Sequence, residues 1–274
     1  MQTDNTILPA SLNKQLEQFW QLASQKVRLL EKNYDPDLGS PVFTVEGQYT
    51  TRGWTEWTQG FQYGIPLLVF AATGDREMLN TGKKNTFEKM AHHVTHFGVH
   101  DHGFNNLSTY GNLLRAASAG LFEASAEEQE FYKMAIKASG AVQARRWTRV
   151  KDGGYMYSFN GPHSLFIDTM RTCRILLAAY KLGHRMLEEN DVETNLLERA
   201  ITHGLTTAKY AVYYGEGRDH FDVPGRVAHE SIFNVNDGNF RCPNSQQGFS
   251  GFTTWTRGLA WAMLGFSEFL EFLD

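Results

Sequence analysis

The apolar positions of this chain recur mostly with the spacing of a helix. Leu12, Leu16, Phe19, Leu22, Val27 and Leu30 fall near a 3.6-residue period after a Pro-Ala-Ser start, which predicts a first helix over Ser11 to Glu31. The same reading predicts helices over Thr55 to Ala72, Glu77 to Phe97, Leu107 to Glu123 and Ala126 to Arg145. It continues with Leu165 to Leu182, Val192 to Tyr213 and Thr254 to Leu273. Two Gly-rich segments, Lys151 to Gly161 and Gly215 to Gly248, read as loops or short hairpins, with a turn at Val-Asn-Asp-Gly-Asn (235–239).

The predicted helices alternate in character. Some open on aromatic, polar and Gly residues, as in Trp57-Thr-Gln-Gly-Phe61, His100-Asp-His-Gly-Phe104, His163-Ser-Leu-Phe-Ile-Asp168 and Trp255-Thr-Arg-Gly258, then run into apolar stretches. Those between them, such as E-E-Q-E-F-Y-K-M-A-I-K-A, are charged on one face. An inner ring apolar on most sides and an outer ring with one wet face is what a toroid of α-hairpins needs. In such a ring the inner-helix starts converge at one end, so the four signatures are expected to line one cavity.

Composition narrows the chemistry. The chain has 274 residues, 42% hydrophobic and 13% aromatic, enough for a large core and more rings than a core demands. A net charge of −4 with only one basic cluster, Ala-Arg-Arg-Trp-Thr-Arg (144–149), excludes a general nucleic-acid binder. Cys173 and Cys242 give neither a disulfide framework nor a zinc spacing. No apolar run reaches membrane-spanning length and the N-terminus is polar, so a cytoplasmic setting is expected.

The candidate chemistry starts in Gln247 to Trp261, Q-G-F-S-G-F-T-T-W-T-R-G-L-A-W. Arg257 and Trp261 are one helical turn apart, and a flat ring beside a forked cation suits a sugar ring with an anionic edge. A buried aromatic stripe with one snorkelling Arg would give the same pattern. Asp168 and Asp101 are the candidate carboxylates. Each is also a plausible helix cap or turn residue. Leu165, Phe166 and Ile167 give Asp168 an apolar setting expected to raise its pKa, further so beside an ionised Asp101. His92, His96 and His100 repeat every four residues near His93 and His102, but without the Glu of a metalloprotease motif. They read as solvent-facing or capping histidines rather than ligands.

In order and spacing, the motifs from Trp57 to Trp261 resemble those of glycoside hydrolase family 88, the unsaturated glucuronyl hydrolases, and more distantly the unsaturated rhamnogalacturonyl hydrolases. The resemblance implies an all-α (α/α)6 barrel formed by residues 1–274 as a single domain, with the active site at one mouth and no cofactor or metal. It implies hydration of the C4=C5 double bond of an unsaturated uronic acid left by a polysaccharide lyase, with an unsaturated uronyl oligosaccharide as substrate. By position, Asp168 matches the acid/base and Asp101 the assisting aspartate, while His100, Trp57, Phe61, Trp147, His229, Gln247, Arg257 and Trp261 match binding residues. An ordinary two-carboxylate glycosidase needs the same residue types. A sugar-binding relic without turnover is another reading.

Three departures bear on these expectations. The acidic pair and serine that usually follow Q-G-[aromatic] are replaced by S-G-F-T-T-W. Arg171 and Arg174 stand unexpectedly on an inner helix, free to bind an anionic substituent or pair with a local acid. About eight helices are legible, fewer than six hairpins would give, so the barrel is expected to lack its last helices. Exposed inner-helix surface then predicts association with a second copy or with a chain that completes the barrel.

Overall fold

The computed structural model describes Thr6, residues 8–53 and residues 56–274. Its helices, in chain order, are α1 (Asn13–Asn33), α2 (Gln59–Thr73), α3 (Arg76–Lys89), α4 (Ala91–Val94), α5 (His102–Asn106) and α6 (Asn112–Ser118). They continue with α7 (Ala126–Arg145), α8 (Thr169–Thr172), α9 (Arg174–Lys181), α10 (Leu196–Ala211) and α11 (Thr256–Leu273). Small antiparallel hairpins join them: β1 (Phe43–Val45) with β2 (Gln48–Thr50), β3 (Trp147–Val150) with β4 (Gly153–Met156), and β6 (Met186–Leu187) with β7 (Glu193–Thr194). A three-stranded sheet has the order β5 (Ser164–Phe166), β8 (Glu230–Phe233), β9 (Phe240–Asn244).

Buried and amphipathic helices alternate as the sequence implies. The rods α2, α5–α6, α8–α9 and α11 form an inner layer, each touching the next, while α3, α7 and α10 back them from outside. One main core joins both layers, with Leu67, Tyr110, Tyr132, Ile136, Ile175 and Leu176 all buried. No described helix is long and apolar enough to cross a membrane.

Two glycines set how close the inner rods lie. A Cβ on Gly60 of α2 would collide with the backbone of Phe104 and Asn105, and one on Gly103 of α5 would collide with the backbone of Thr172 in α8. Thr172 Oγ1 also donates to the His100 carbonyl at 2.7 Å, tying α8 to the entry of α5. These glycines belong to the W-x-x-G-F and H-D-H-G-F motifs, which therefore carry packing as well as surface chemistry.

Several boundaries differ from the periodicity. The predicted start of the second helix, Thr55, lies outside the described residues. Ser164 to Phe166 is a strand, not helix, because this short apolar run pairs with β8, Leu165 opposite Ser231. The helix after it breaks at Cys173. The inner rod predicted from Leu107 begins at His102 and passes through a π turn at Leu107–Gly111. That turn shifts the apolar phase, so the pattern read from Leu107 does not extend back over α5. Its C-terminal end is Ser118, short of Glu123. The helix expected over Glu77 to Phe97 divides at Met90 and ends at Val94. Those expected from Val192 and Thr254 start at Leu196 and Thr256. The two predicted loops carry β4, β8 and β9, with 235–239 inside the β8–β9 connection.

A Gly103→Ala substitution is expected to destabilise the fold by ~2–3 kcal/mol or more, since it overpacks against backbone that cannot rotate away. Gly53, whose Cβ would meet nothing within 4 Å, serves as the control. Urea denaturation should separate the two variants clearly; equal midpoints would refute the close-approach constraint.

Candidate active site

The N-terminal ends of the inner rods meet at one cavity of about 1130 Å³. Trp57 and Thr58 come from the start of α2, His100, Asp101, Phe104 and Asn105 from that of α5, Phe166 and Asp168 from that of α8, and Arg257 and Trp261 from α11, with Gln247 from the loop before it. The outer helices are capped by their own side chains: Asp75 accepts from Glu77 and Met78 N–H, Ser125 forms a capping box with Glu128, and Asn195 accepts from Leu197 and Glu198 N–H. None of the inner starts is capped by its own N-cap side chain, Asp101 and Asp168 included. The capping role open to both aspartates is therefore excluded. Their carboxylates face other groups, and the positive ends of the inner helices point at the cavity.

Asp168 and Asp101 converge on one imidazole. His100 Nε2 lies 3.1 Å from Asp168 Oδ1 and 4.0 Å from Asp101 Oδ1. All three are buried, at 1%, 8% and 6% exposure for His100, Asp168 and Asp101. Burial favours a neutral His100, but the two carboxylates outweigh it and raise its pKa. Burial likewise pushes Asp168 up, but the charge and hydrogen bond of His100, with His229 and Arg257, hold its pKa below the usual value. Burial raises Asp101, reinforced by Asp168, and His100 and Arg146 only partly oppose it. This reverses the sequence expectation for Asp168, whose pKa lies below the ordinary carboxylate value, while that of Asp101 lies above it. The reason is the hydrogen-bonded His100, whose ring nitrogen lies nearer Asp168.

The cavity walls are aromatic. Trp261 stacks at 6.2 Å on Phe61, which packs edge-on to Trp57 at 6.1 Å. Phe104 touches all three rings. Phe61 backs this wall and does not itself line the cavity. Arg257 donates to Gln247 Oε1, lies over Trp255 at 4.7 Å and adds its charge to that of His100 around Asp168.

Trp147 is a correction. It stands on β3 against the main core, with Arg199 over its ring at 4.9 Å, and does not line the cavity. Phe159 and Phe166, which the periodicity gave no reason to single out, take that place, stacking at 5.9 Å and edge-on at 5.4 Å against His100. His229 sits just outside the lining, its ring against Phe166 at 4.4 Å and Trp255 at 4.1 Å. Its Nδ1 accepts from the backbone N–H of Gln246 and Gln247, at 3.1 and 3.3 Å, which puts the proton on Nε2. That Nε2 is buried with no hydrogen-bond partner among the described residues.

Within the histidine run His92 is exposed and His96 half-buried, while His93, His100 and His102 are buried. His93 is buried, donating from Nε2 to Gln59 Oε1 at 2.7 Å and accepting from Asn105 Nδ2 at 3.0 Å. Asn105 Oδ1 in turn accepts from Gly60 N–H, so this chain ties α4, α5 and α2 together. His102 is buried against Ser139 and the His96 carbonyl. Burial pushes His93 and His102 down to about 3. No group of three metal-ligating side chains is gathered among the described residues. Arg171 and Arg174 both meet Glu268, the local acid the sequence left open. Arg146, inside the basic cluster, is buried 5% exposed beside this site, donating to the Tyr157 and Ser158 carbonyls, and its charge reaches Asp101. Nothing in the sequence marks it apart from its exposed neighbours.

No protein-family model matches the sequence. The chain is 23% identical over 215 residues to the unsaturated glucuronyl hydrolase of Formosa agariphila, covering 77% of this chain and 47% of that protein. It is 26% identical over 230 residues to the one from Bacillus sp. strain GL1, covering 80% and 53%. It thus spans about half the length of the curated relatives it matches. Among solved structures, an unsaturated glucuronyl hydrolase specific for heparin superposes with a TM-score of 0.71 at 19% identity, over 94% of this chain and 64% of the other. This gives the fold, that of the α/α-barrel enzymes.

The His100 geometry makes a pH prediction. A raised folded pKa means His100 contributes stability in full below about pH 6.5, lost as the pH rises through the folded value. Asp168, with its pKa depressed, contributes above its unfolded value near 3.9 and loses that contribution as the pH falls through the folded one. By NMR, the His100 ring should titrate above the ordinary histidine value and move down in Asp168→Asn. A wild-type His100 titrating below it contradicts the assignment.

Proposed function

The chain is a homologue of the unsaturated glucuronyl hydrolases, and from this premise we propose that its cavity hydrates the C4=C5 double bond of a non-reducing-end unsaturated uronic acid. The observation that carries the reading is one buried imidazole shared by two carboxylates of opposite pKa tendency, at a mouth lined by Trp57, Trp261 and Arg257. An ordinary glycosidase pair flanks the glycosidic bond from both sides with the sugar between. Asp101 and Asp168 are instead tied to the same ring nitrogen, which suits one proton delivered and recovered at one face.

In this mechanism the proton rests on His100, in its hydrogen bond to Asp168. Binding of the uronate excludes water and adds negative charge, which raises the proton affinity of Asp168. The proton passes to Asp168 and from there to C4, leaving positive charge shared between C5 and the ring oxygen. Asp168, ionised again, takes a proton from water as its oxygen bonds to C5. The C5 hemiketal then opens by breaking its bond to the ring oxygen, and the C1 hemiacetal so formed releases the neighbouring sugar as its alcohol. Asp101 hydrogen-bonds a ring hydroxyl, and the unpartnered Nε2–H of His229 offers a donor for the water. Arg257, with Gln247 on one side and Trp255 beneath, offers a cation to the uronate. His100 acts through Asp168 and is a positioning residue.

Two free thiols, Cys173 and Cys242, suit a reducing cytoplasmic setting. The apolar residues Leu16, Phe19 and Leu22, exposed on α1, support association with a second copy.

The test is the loss of ultraviolet absorbance of the conjugated uronate on incubation with lyase-generated disaccharides. The wild type should abolish it, Asp168→Asn should slow it ~10²–10⁴-fold, and Trp147→Phe should leave it essentially unchanged. No loss from folded protein with any disaccharide would overturn the activity.

A further inference from the structure

A second cavity, of about 790 Å³, lies among the same inner rods, and no residue lines both. Phe61, which backs the aromatic wall of the first, is part of the lining of the second. Leu68, Leu107 and Ile136 contribute apolar surface to its lining. The charged groups are unbalanced: Arg115, Arg171, Arg174 and Lys181 face a single carboxylate, Glu268.

That carboxylate is already committed. Its Oε1 meets Arg174, and its Oε2 lies 3.0 Å from Arg171 Nε. The second contact is out of hydrogen-bond alignment, so Arg171 Nε and Nη1 and Glu268 Oε2 are all buried without a hydrogen-bond partner. Arg115 donates to Asn112 at 3.3 Å, and neither it nor Lys181 has a carboxylate partner among the described residues. Buried guanidinium donors left unsatisfied are costly, and apolar walls strengthen their field. The volume falls within the range of small-molecule sites, and the lining follows their pattern of apolar wall and few polar groups. α11 sets this arrangement by lying directly on α8: a Cβ on Gly265 would stand 2.8 Å from Arg171 N.

We propose that this cavity binds a small organic anion with an apolar body, separately from the cleft at the helix starts. The anionic head, a carboxylate, sulfonate, sulfate or phosphate, takes the donors of Arg171 and Arg174 with Arg115 and Lys181 adding charge. The body lies against Leu68, Leu107 and Ile136. The site is independent of the reaction assigned to the first cavity.

Calorimetric titration of the full chain with 2-naphthalenesulfonate tests it, with 2-naphthalenemethanol as the uncharged counterpart. Saturable binding of one sulfonate per chain is expected, about tenfold or more tighter than the alcohol. The double variant R174Q/K181Q should weaken it by a similar factor, and Arg257→Gln in the cleft should leave it unchanged. Arg174, Lys181 and Arg115 are all exposed enough to be replaced without core damage, and Arg115→Gln, on another helix, gives an independent weakening should the double variant fail to fold. Absence of saturable binding, equal affinity for the alcohol, or loss through Arg257→Gln alone would overturn the proposal.

Discussion

Everything at the mouth of this protein depends on how closely its inner rods approach. α2 meets α5 at Gly60, and α5 meets α8 at Gly103, with backbone against backbone where any side chain would intrude. At this spacing the helix starts share one cavity, and the groups just before each start reach one another. The hydrogen bonds that hold the approach, Thr172 to the His100 carbonyl and the Gln59–His93–Asn105–Gly60 chain, are buried, except for the part-buried Gln59 end.

The same approach decides the electrostatics. Burying two carboxylates without a cation is prohibitive, and a lone buried histidine would be neutral, as His93 and His102 are. Placing His100 between the chemistry of Asp101 and Asp168 resolves both costs and also breaks the symmetry of the pair. Asp168, hydrogen-bonded to His100 and within reach of the Arg257 charge, has its pKa held down. Asp101, farther from the ring nitrogen, has its pKa raised by burial and by the neighbouring Asp168 charge. Two identical side chains thereby acquire opposite pKa tendencies from a difference of under an ångström in their distance to one nitrogen.

Much of this was legible in the sequence because it rests on period and order. The alternation of apolar and one-faced helices predicted the layers, and α7, with its Ser125–Glu128 box and clean charged face, begins and ends where the pattern places it. The aromatic-polar-Gly signatures placed Trp57, His100, Asp101, Asp168, Arg257 and Trp261 at helix starts, and convergence followed from topology. What was not legible depends on tertiary pairing. Leu165 and Phe166 become strand only because Ser231 and Glu230 lie opposite. Trp147 looks like a cleft tryptophan until β3 turns it towards the core, leaving Phe159 by His100. The pKa order of Asp101 and Asp168 needed a distance to His100, which no spacing along the chain supplies.

The central claim is that the cavity adds water across a double bond rather than cleaving a glycosidic bond directly. Running the reaction in heavy water with an unsaturated disaccharide, and reading the product by NMR, tests this most directly. The account predicts one deuterium on C4 of the released keto product and loss of the vinylic proton. A released sugar that still carries its C4=C5 double bond, with no deuterium on C4, would contradict it.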